Sequence, residues 1–374
     1  MRAFVKVLIA PQEYKGTMTA SEAAAAIAKG IHDAREDLEI TVMPIADGGG
    51  GTVDAFLASG EGEERFTEVS GPLDKPTRAR WAVLDGGKTA VIEMAAASGL
   101  VLVPKAERNP LDAHTFGTGQ LIRAALDSGC TRVLVGAGGS ATVDGGTGAA
   151  SALGVRFLDD AGAPLPLGPR HLQRLARVDL SGLDARLSGT DLQVLTDVRN
   201  PVLGEEGAAR TFAPQKGADA DAVETLEAAL DHLVRVSRAS MLPSAEKDPG
   251  SGAAGGLAFG LKVFLGAQLK RGFDVVSEAL GMFNLLNDND LVITGEGRLD
   301  TQSPYFKGPY ALGRLARMQK RKSVLFAGAV GGPTSLVRDA FDEVIAVGQD
   351  VPTREEAPRL LEAAAFRWAL RQSR

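Results

Sequence analysis

The chain has 374 residues, 44% of them hydrophobic and 24% charged, ordinary globular usage that excludes long disorder and a fibrous architecture. Its length favours two domains, or one large α/β unit with insertions. A formal net charge of −6 and an aromatic content of 5% exclude a basic duplex-binding footprint and leave no base-stacking platform, so nucleic acid is not an expected partner.

In chain order, residues 4–10 form a short β-prone run stopped by Pro11, and Thr19-Ala20-Ser21-Glu22 spells a capping box before an alanine-rich helix to about Ile31. Residues 38–43 supply the next strand. Asp47 then introduces four glycines, Gly48 to Gly51, ahead of Thr52 and a helical stretch at 53–58. Residues 66–70, 77–84 and 89–94 read as antiparallel hairpin strands, with Asp85-Gly86-Gly87-Lys88 as a tight turn. A helix at 120–126, strands at 132–135 and 193–196, and a long helix at 222–238 follow. The last third returns to the opening grammar, with short buried-type strands at 290–294, 323–327 and 343–347 and a final helix at 354–371. Alternation of this kind predicts a parallel sheet covered by helices. The expected fold is α/β with two domains. One is a Rossmann-like parallel-sheet domain, discontinuous over 1–75 and 265–374; the other is an inserted mixed α/β domain over 76–264.

The single cysteine, Cys130, excludes an intrachain disulfide framework and a Cys-rich zinc site. His32, His114, His171 and His232 make no HxxxH or HExxH pair. The first ten residues carry Lys6 inside their apolar run, unlike a signal peptide, and no stretch approaches 18 uninterrupted apolar residues. A soluble cytoplasmic protein without a membrane partner is expected.

Glycine is the outlier, at 45 of 374 residues, roughly 12% against a usual value of about 7%. Three glycine-rich stretches are tested first as phosphate cradles, because glycine lets several backbone N–H groups converge on an anion. Asp47-Gly48-Gly49-Gly50-Gly51-Thr52 follows a strand and opens a helix, where amides and helix dipole favour negative charge. Residues 136–146 follow another strand and include Gly138, Gly139, Ser140, Thr142 and Asp144. Gly250-Ser251-Gly252-Ala253-Ala254-Gly255 formally matches GxGxxG, but polar residues 244–249 precede it, so it is not a dinucleotide fingerprint. A tight turn or close backbone packing accounts equally well for any one of the three.

Acidic residues at strand ends form a second signal, because open α/β sheets place their ligand crevice there. Asp47 follows the second strand, Asp197 follows 193–196, and Glu296 and Asp300 follow 290–294. Such carboxylates hold Mg²⁺ or take a proton from an attacking hydroxyl; helix caps, turn caps and lysine partners are their alternatives. Lys15, Lys216 and Lys307 lie near these loops, where an ammonium neutralises a phosphoryl group or is simply solvated. No GxxxxGK[ST] and no protein-kinase HRD or DFG set occurs.

These residues, in order, resemble the type I glycerate kinase family across nearly the whole chain. The landmarks are Ile9-Ala10-Pro11 with Lys15-Gly16, Ala46-Asp47-Gly48-Gly49 with Gly51-Thr52, and Gly138-Gly139-Ser140-Ala141-Thr142 with Asp144-Gly145-Gly146. Asp197-Val198 with Asn200-Pro201, Pro214-Gln215-Lys216-Gly217-Ala218, Gly252-Ala253-Ala254-Gly255-Gly256 and Thr294-Gly295-Glu296-Gly297 with Asp300 and Gln302 complete them. The resemblance implies ATP- and Mg²⁺-dependent phosphorylation of D-glycerate, usually at the 2-hydroxyl, on two α/β domains with an active-site cleft between them. The chain departs from the family pattern at Gln12, Glu13, Tyr14, Gly50, His114, Val143 and Phe306. Loss of an acid at position 50 and gain of one at Glu13 are either a compensating exchange or a sign of altered substrate choice.

On that basis the expected reaction is in-line transfer of the γ-phosphoryl group of ATP to glycerate. Asp197 is the expected base or metal-orienting carboxylate, with Glu296 and Asp300 as further metal ligands and Asp47 as a metal or substrate contact. Lys15 and Lys216 are the expected catalytic cations. Gly48, Gly49, Thr52, Gly138, Gly139, Ser140, Thr142 and Lys307 are expected to bind phosphate, and Arg199 and Arg298 to grip the substrate carboxylate. A monomer or homodimer is compatible. Two rival readings remain: a metabolite-binding protein that kept the fold without the chemistry, and a nicotinamide-dependent oxidoreductase. The second requires GxGxxG in the first βα turn, which instead reads Ala10-Pro11-Gln12-Glu13-Tyr14-Lys15-Gly16.

Overall fold

A computed structural model describes residues 6–60, 62–299, 308–348, 350 and 352–372. In chain order its strands are β1 (Lys6–Ile9), β2 (Glu39–Val42), β3 (Gly62–Ser70), β4 (Pro76–Leu84), β5 (Thr89–Glu93), β6 (Arg132–Gly136), β7 (Arg156–Leu158), β8 (Arg177–Asp179), β9 (Asp191–Leu195), β10 (Gln268–Lys270), β11 (Leu291–Leu299), β12 (Lys322–Val330) and β13 (Glu343–Ala346). They form a five-stranded sheet ordered β13-β12-β11-β1-β2, a six-stranded sheet ordered β10-β9-β6-β5-β4-β3 and the pair β7-β8. The α/β class expected from the alternation is borne out. Two compact units result: Met1–Asp47, Asp54–Gly60 and Phe273–Arg374 in the first, Gly48–Val53 and Glu61–Gly272 in the second. No helix among the described residues is long and apolar enough to cross a membrane.

In the first unit every strand pairing is parallel. Successive residues of β12 serve opposite faces, as the period-2 pleat requires. Val324 and Phe326 pack with Ile27, Ile31, Leu361 and Trp368, whereas Leu325 and Ala327 pack with Val337, Ala340 and Phe341. Helices Ala20–Ala34 and Ala357–Arg371 cover the first of these faces. The earlier helix begins at the expected capping box: the Glu22 amide donates to Thr19 Oγ1 at 3.1 Å and the Thr19 amide to Glu22 Oε2 at 2.7 Å. The two helices touch at Gly30, where a β-carbon would lie 2.2 Å from the Glu362 carbonyl oxygen. A residue that costs a helix about 1 kcal/mol relative to alanine is what lets the backbones meet.

One strand boundary differs from expectation in a way that moves a site residue. The strand expected at 290–294 continues to Leu299, because β12 pairs with it along its whole length, from Leu291↔Lys322 to Leu299↔Val330. β1 reaches only as far as Ile293. Glu296 therefore lies within β11, on the stretch that overhangs the end of β1, and does not follow the strand as expected.

In the second unit β5, β6, β9 and β10 are parallel neighbours, and β3 and β4 extend the sheet as the expected antiparallel hairpins. The turn at 71–75 closes with the Gly71 amide donating to the Lys75 carbonyl at 2.8 Å. Apolar residues of the parallel strands, including Ile92, Val133, Val135, Leu192 and Val194, share one core with helices Phe116–Asp127, Ala220–Ala239 and Ala253–Leu265.

Candidate functional site

The first unit's strands, counted within the unit, run 2-1-3-4-5, so the chain reverses its direction of winding between β1 and β11. Sheets of this order hold ligands at the carboxyl ends of the strands flanking that reversal. The segment leaving β1 is fixed there by backbone bonds. The Gln12 amide donates to the Gly295 carbonyl at 3.0 Å, and Tyr14 and Met18 pair with each other. Tyr14 is fully buried, and its hydroxyl donates to the Phe326 carbonyl at 2.7 Å. Its neighbours Glu13 and Lys15 are held at the sheet's edge as a consequence.

Charges converge at that edge. Burial raises the Glu13 carboxyl above its ordinary value, Lys15 opposes the shift and Asp47, leaving β2, adds to it. Burial and the Glu296 carboxylate push the Tyr14 phenol well above its usual range. Lys15, Asp47 and Glu296 are thus gathered with Glu13, a departure from the family pattern that is not among the expected site residues. Arg298, two residues along β11 from Glu296, lays its guanidinium against Gly331, whose β-carbon would sit 2.8 Å from Nη2. Asp300 and Lys307 lie outside the described residues.

In the second unit the carboxyl ends of β6 and β9 carry two of the expected loops, and the expected glycine run at 48–51 packs against the end of β9. Gly48 and Gly138 have a packing reason to be glycine. A β-carbon on Gly48 would come within 2.4 Å of the Leu195 carbonyl oxygen, and one on Gly138 within 2.6 Å of Gly49 Cα. Thr52 Oγ1 donates to the Gly49 carbonyl at 2.7 Å. The helix end at Thr52–Ala58, expected as an open anion site, already faces a protein carboxylate: the Val53 amide donates to Glu93 Oε1 at 2.9 Å. Glu93 is the last residue of β5, and its position at a strand end was the signal that could have singled it out.

Residues 138–146 form a densely hydrogen-bonded loop. On one side the Leu100 amide donates to the Gly139 carbonyl at 2.8 Å and the Ala141 amide to the Ser98 carbonyl at 2.9 Å. On the other, Lys216 Nζ donates to Ser140 Oγ at 2.8 Å and to the Thr142 carbonyl at 2.7 Å. The lysine is 2% exposed, and burial pushes its pKa down to about 7 against the pull of Asp144. The buried Asp144 carboxylate accepts from the Thr115 amide and hydroxyl, both at 2.8 Å, and from the Gly146 and Gly148 amides, both at 3.1 Å. Thr142 Oγ1 is buried without a hydrogen-bond partner among the described residues.

The stretch rejected as a dinucleotide fingerprint supports this loop from behind. A β-carbon on Gly255 would lie 2.0 Å from the Thr142 carbonyl oxygen, and the Gly145 amide donates to the Gly255 carbonyl at 3.0 Å. Asp197 and Arg199 leave the end of β9, next to β6, Asp197 half-buried and Arg199 exposed. The second unit therefore gathers Gly48, Gly49, Thr52, Gly138, Gly139, Ser140, Thr142 and Lys216, with Asp197 and Arg199 at the neighbouring strand end.

A family model described as the glycerate kinase family matches residues 7–368. The chain belongs to the glycerate kinase family. It is 42% identical over 356 residues to the glycerate 2-kinase of Escherichia coli (strain K12), covering 95% of this chain and 93% of that one. It is 43% identical over 333 residues to the glycerate kinase of Bacillus subtilis (strain 168), covering 89% and 87%. A solved structure from Salmonella typhimurium LT2, assigned as glycerate kinase 2, superimposes with a TM-score of 0.85 at 39% identity, covering 99% of this chain and 97% of that one. Glycerate kinase family membership makes the chain a phosphotransferase with an alcohol group as acceptor.

That chemistry calls for a divalent cation, which magnesium enzymes usually hold with one or two carboxylates and the substrate's phosphates. No group of three or more metal-ligating side chains is found among the described residues. The carboxylates of Glu13 and Asp47, close enough for each charge to act on the other, fit the smaller donor set, as hard oxygen ligands for a hard cation.

Proposed function

We propose that the chain transfers the γ-phosphoryl group of ATP to the 2-hydroxyl of D-glycerate, with Mg²⁺ as cofactor. The observation that carries this reading is the placement of carboxylates and the Lys15 ammonium at the carboxyl ends of parallel strands, in a chain matched over residues 7–368 by the glycerate kinase family. The relative named glycerate 2-kinase, at 42% identity, supports the 2-hydroxyl over the 3-hydroxyl. The acceptor oxygen attacks the γ-phosphorus, the bond to the bridging oxygen breaks, and ADP leaves. The acceptor's proton passes to a carboxylate, for which Asp197 is our assignment.

Positioning and charge neutralisation supply most of the acceleration in such a transfer. Lys15 and Lys216 supply positive charge, and the amides and hydroxyls of Gly48, Gly49, Thr52, Gly138, Gly139, Ser140 and Thr142 supply donors. Arg199 and Arg298 are assigned to the glycerate carboxylate, whose two oxygens suit a guanidinium fork; Lys307 is assigned to phosphate. Asp47, with Glu13 beside it, and Glu296, Asp300 and Asp197 are the carboxylates assigned to the cation, which when bound would offset phosphate charge. An ATP-consuming reaction and a single cysteine support a cytoplasmic site of action.

A coupled assay of ADP release tests the proposal. Release that depends on D-glycerate is expected. ATP binding with no glycerate-dependent release would replace this reading with that of a metabolite-binding protein.

A further inference from the structure

We infer that Lys216 is a positioning residue that acts through Ser140: its ammonium holds the Ser140 hydroxyl so that the hydroxyl's own proton is presented to an anionic group of the substrates. This rests on the kinase reading and specifies how one of its cations works.

The argument starts from donor counting. A lysine ammonium has three donors and no acceptor, whereas a hydroxyl has one donor and two acceptor lone pairs. Two of the three ammonium donors are spent on Ser140 Oγ and the Thr142 carbonyl, and the residue is 2% exposed. A side chain enclosed in this way is poorly placed to touch a phosphate itself. Because Nζ donates into Ser140 Oγ, the serine proton cannot point back at the ammonium. Among the described residues no protein group accepts that proton.

The backbone around Ser140 is held on its other flank by residues 98–100, and Lys216 Nζ holds its hydroxyl oxygen. A hydroxyl that accepts from a cation donates more strongly, because charge-assisted bonds are roughly twice as strong as neutral ones and neighbouring bonds polarise one another. Thr142 Oγ1, on the same loop, is buried without a hydrogen-bond partner among the described residues. The charged groups around the lysine are few. Asp144 acts on it electrostatically, and Arg108, on the neighbouring segment, donates from Nη1 to the Gln215 carbonyl at 3.2 Å. The lysine's pKa of about 7 means that its charge, and with it the polarisation of Ser140, fades above neutrality.

The test is a double-mutant cycle of Ser140→Ala, Lys216→Met and the pair, with kcat and KM measured for ATP and D-glycerate at pH 6 and circular dichroism confirming the fold. Each single substitution is expected to lower kcat by about 10²-fold to 10³-fold, the cost of losing one placed donor. The pair is expected to be no worse than the worse single. Losses that multiply would show that Lys216 meets the substrate independently, and an unaltered Ser140→Ala enzyme would overturn the inference directly.

If Lys216→Met fails to fold, the pH profile decides. Wild-type kcat/KM is expected to decline above about pH 7 and Ser140→Ala to lose that decline; its persistence in Ser140→Ala contradicts the inference. Should the wild type show no glycerate-dependent ADP release, the kinase reading fails separately. The same cycle is then read by calorimetric titration with ATP, where non-additive weakening supports the Ser140 route and additive weakening rejects it.

Discussion

Tyr14 and Gly295 occupy the same space: a β-carbon at position 295 would lie 2.1 Å from the Tyr14 hydroxyl oxygen. The glycine leaves room for a buried phenol whose hydrogen bond to Phe326 ties the segment carrying Glu13 and Lys15 to the sheet. Gly295→Ala is therefore expected to destabilise the protein by about 1–3 kcal/mol, the usual cost of overpacking. Tyr14→Phe in the same chain should recover part of that loss, since the hydroxyl is the nearest obstacle. Urea unfolding midpoints at constant m-value measure both effects.

Asp144 is the organising carboxylate of its loop, with four donors converging on it from Thr115, Gly146 and Gly148. Asp144→Ala strands three buried amides and a hydroxyl, at a cost of about 3 kcal/mol or more, because unsatisfied buried groups forfeit about 1–3 kcal/mol each. It also removes the charge that raises the Lys216 pKa. Chemical denaturation of the variant at pH 7.5, set beside the wild type, tests the magnitude.

Glu13 titrates under the opposing influences of Lys15 and Asp47. Asp47→Asn removes a charge that raises the Glu13 pKa and should lower it, whereas Lys15→Met removes a charge that depresses it and should raise it. Carbon NMR of the labelled Glu13 carboxyl, followed through pH, shows the two shifts. Movement in the same direction in both variants would contradict the arrangement at this edge.

Lys216 gives stability a pH dependence of definite sign. Its pKa falls from 10.5 in the unfolded chain to about 7 in the folded one, so between those values the unfolded state binds more protons. Stability from this group is accordingly lowest below pH 7 and rises as pH climbs through the window, by at most about 1.4 kcal/mol per pH unit. Lys216→Met should flatten that slope in urea unfolding measured at pH 7 and pH 9.

Much of this was legible in the sequence because it is local. The capping box at Thr19 and Glu22, the β-prone runs, the hairpins around Asp85 and the glycine-rich turns after strands all depend on neighbours within a few residues. Contacts between distant segments were not legible. Glu296 reads as a loop residue until β12 is seen to pair with β11 through Leu299. Glu93 reads as the end of a strand until the helix at Thr52 takes its carboxylate. Lys216 reads as a cation that meets phosphate directly or is solvated until Ser140, 76 residues away, accepts its hydrogen bond. Hydrophobic periodicity reports which face of an element is buried, and it carries no information about which polar partner waits there.

The most direct test of the proposed reaction is phosphorus NMR of a mixture of the protein, ATP, Mg²⁺ and D-glycerate. A phosphomonoester resonance should grow in step with ADP and appear as a doublet, because phosphorus on the 2-oxygen couples to the single proton at C2. A triplet would place the phosphoryl group on the 3-oxygen beside a methylene. Loss of ATP to inorganic phosphate alone, or no new resonance at all, would contradict the proposed transfer.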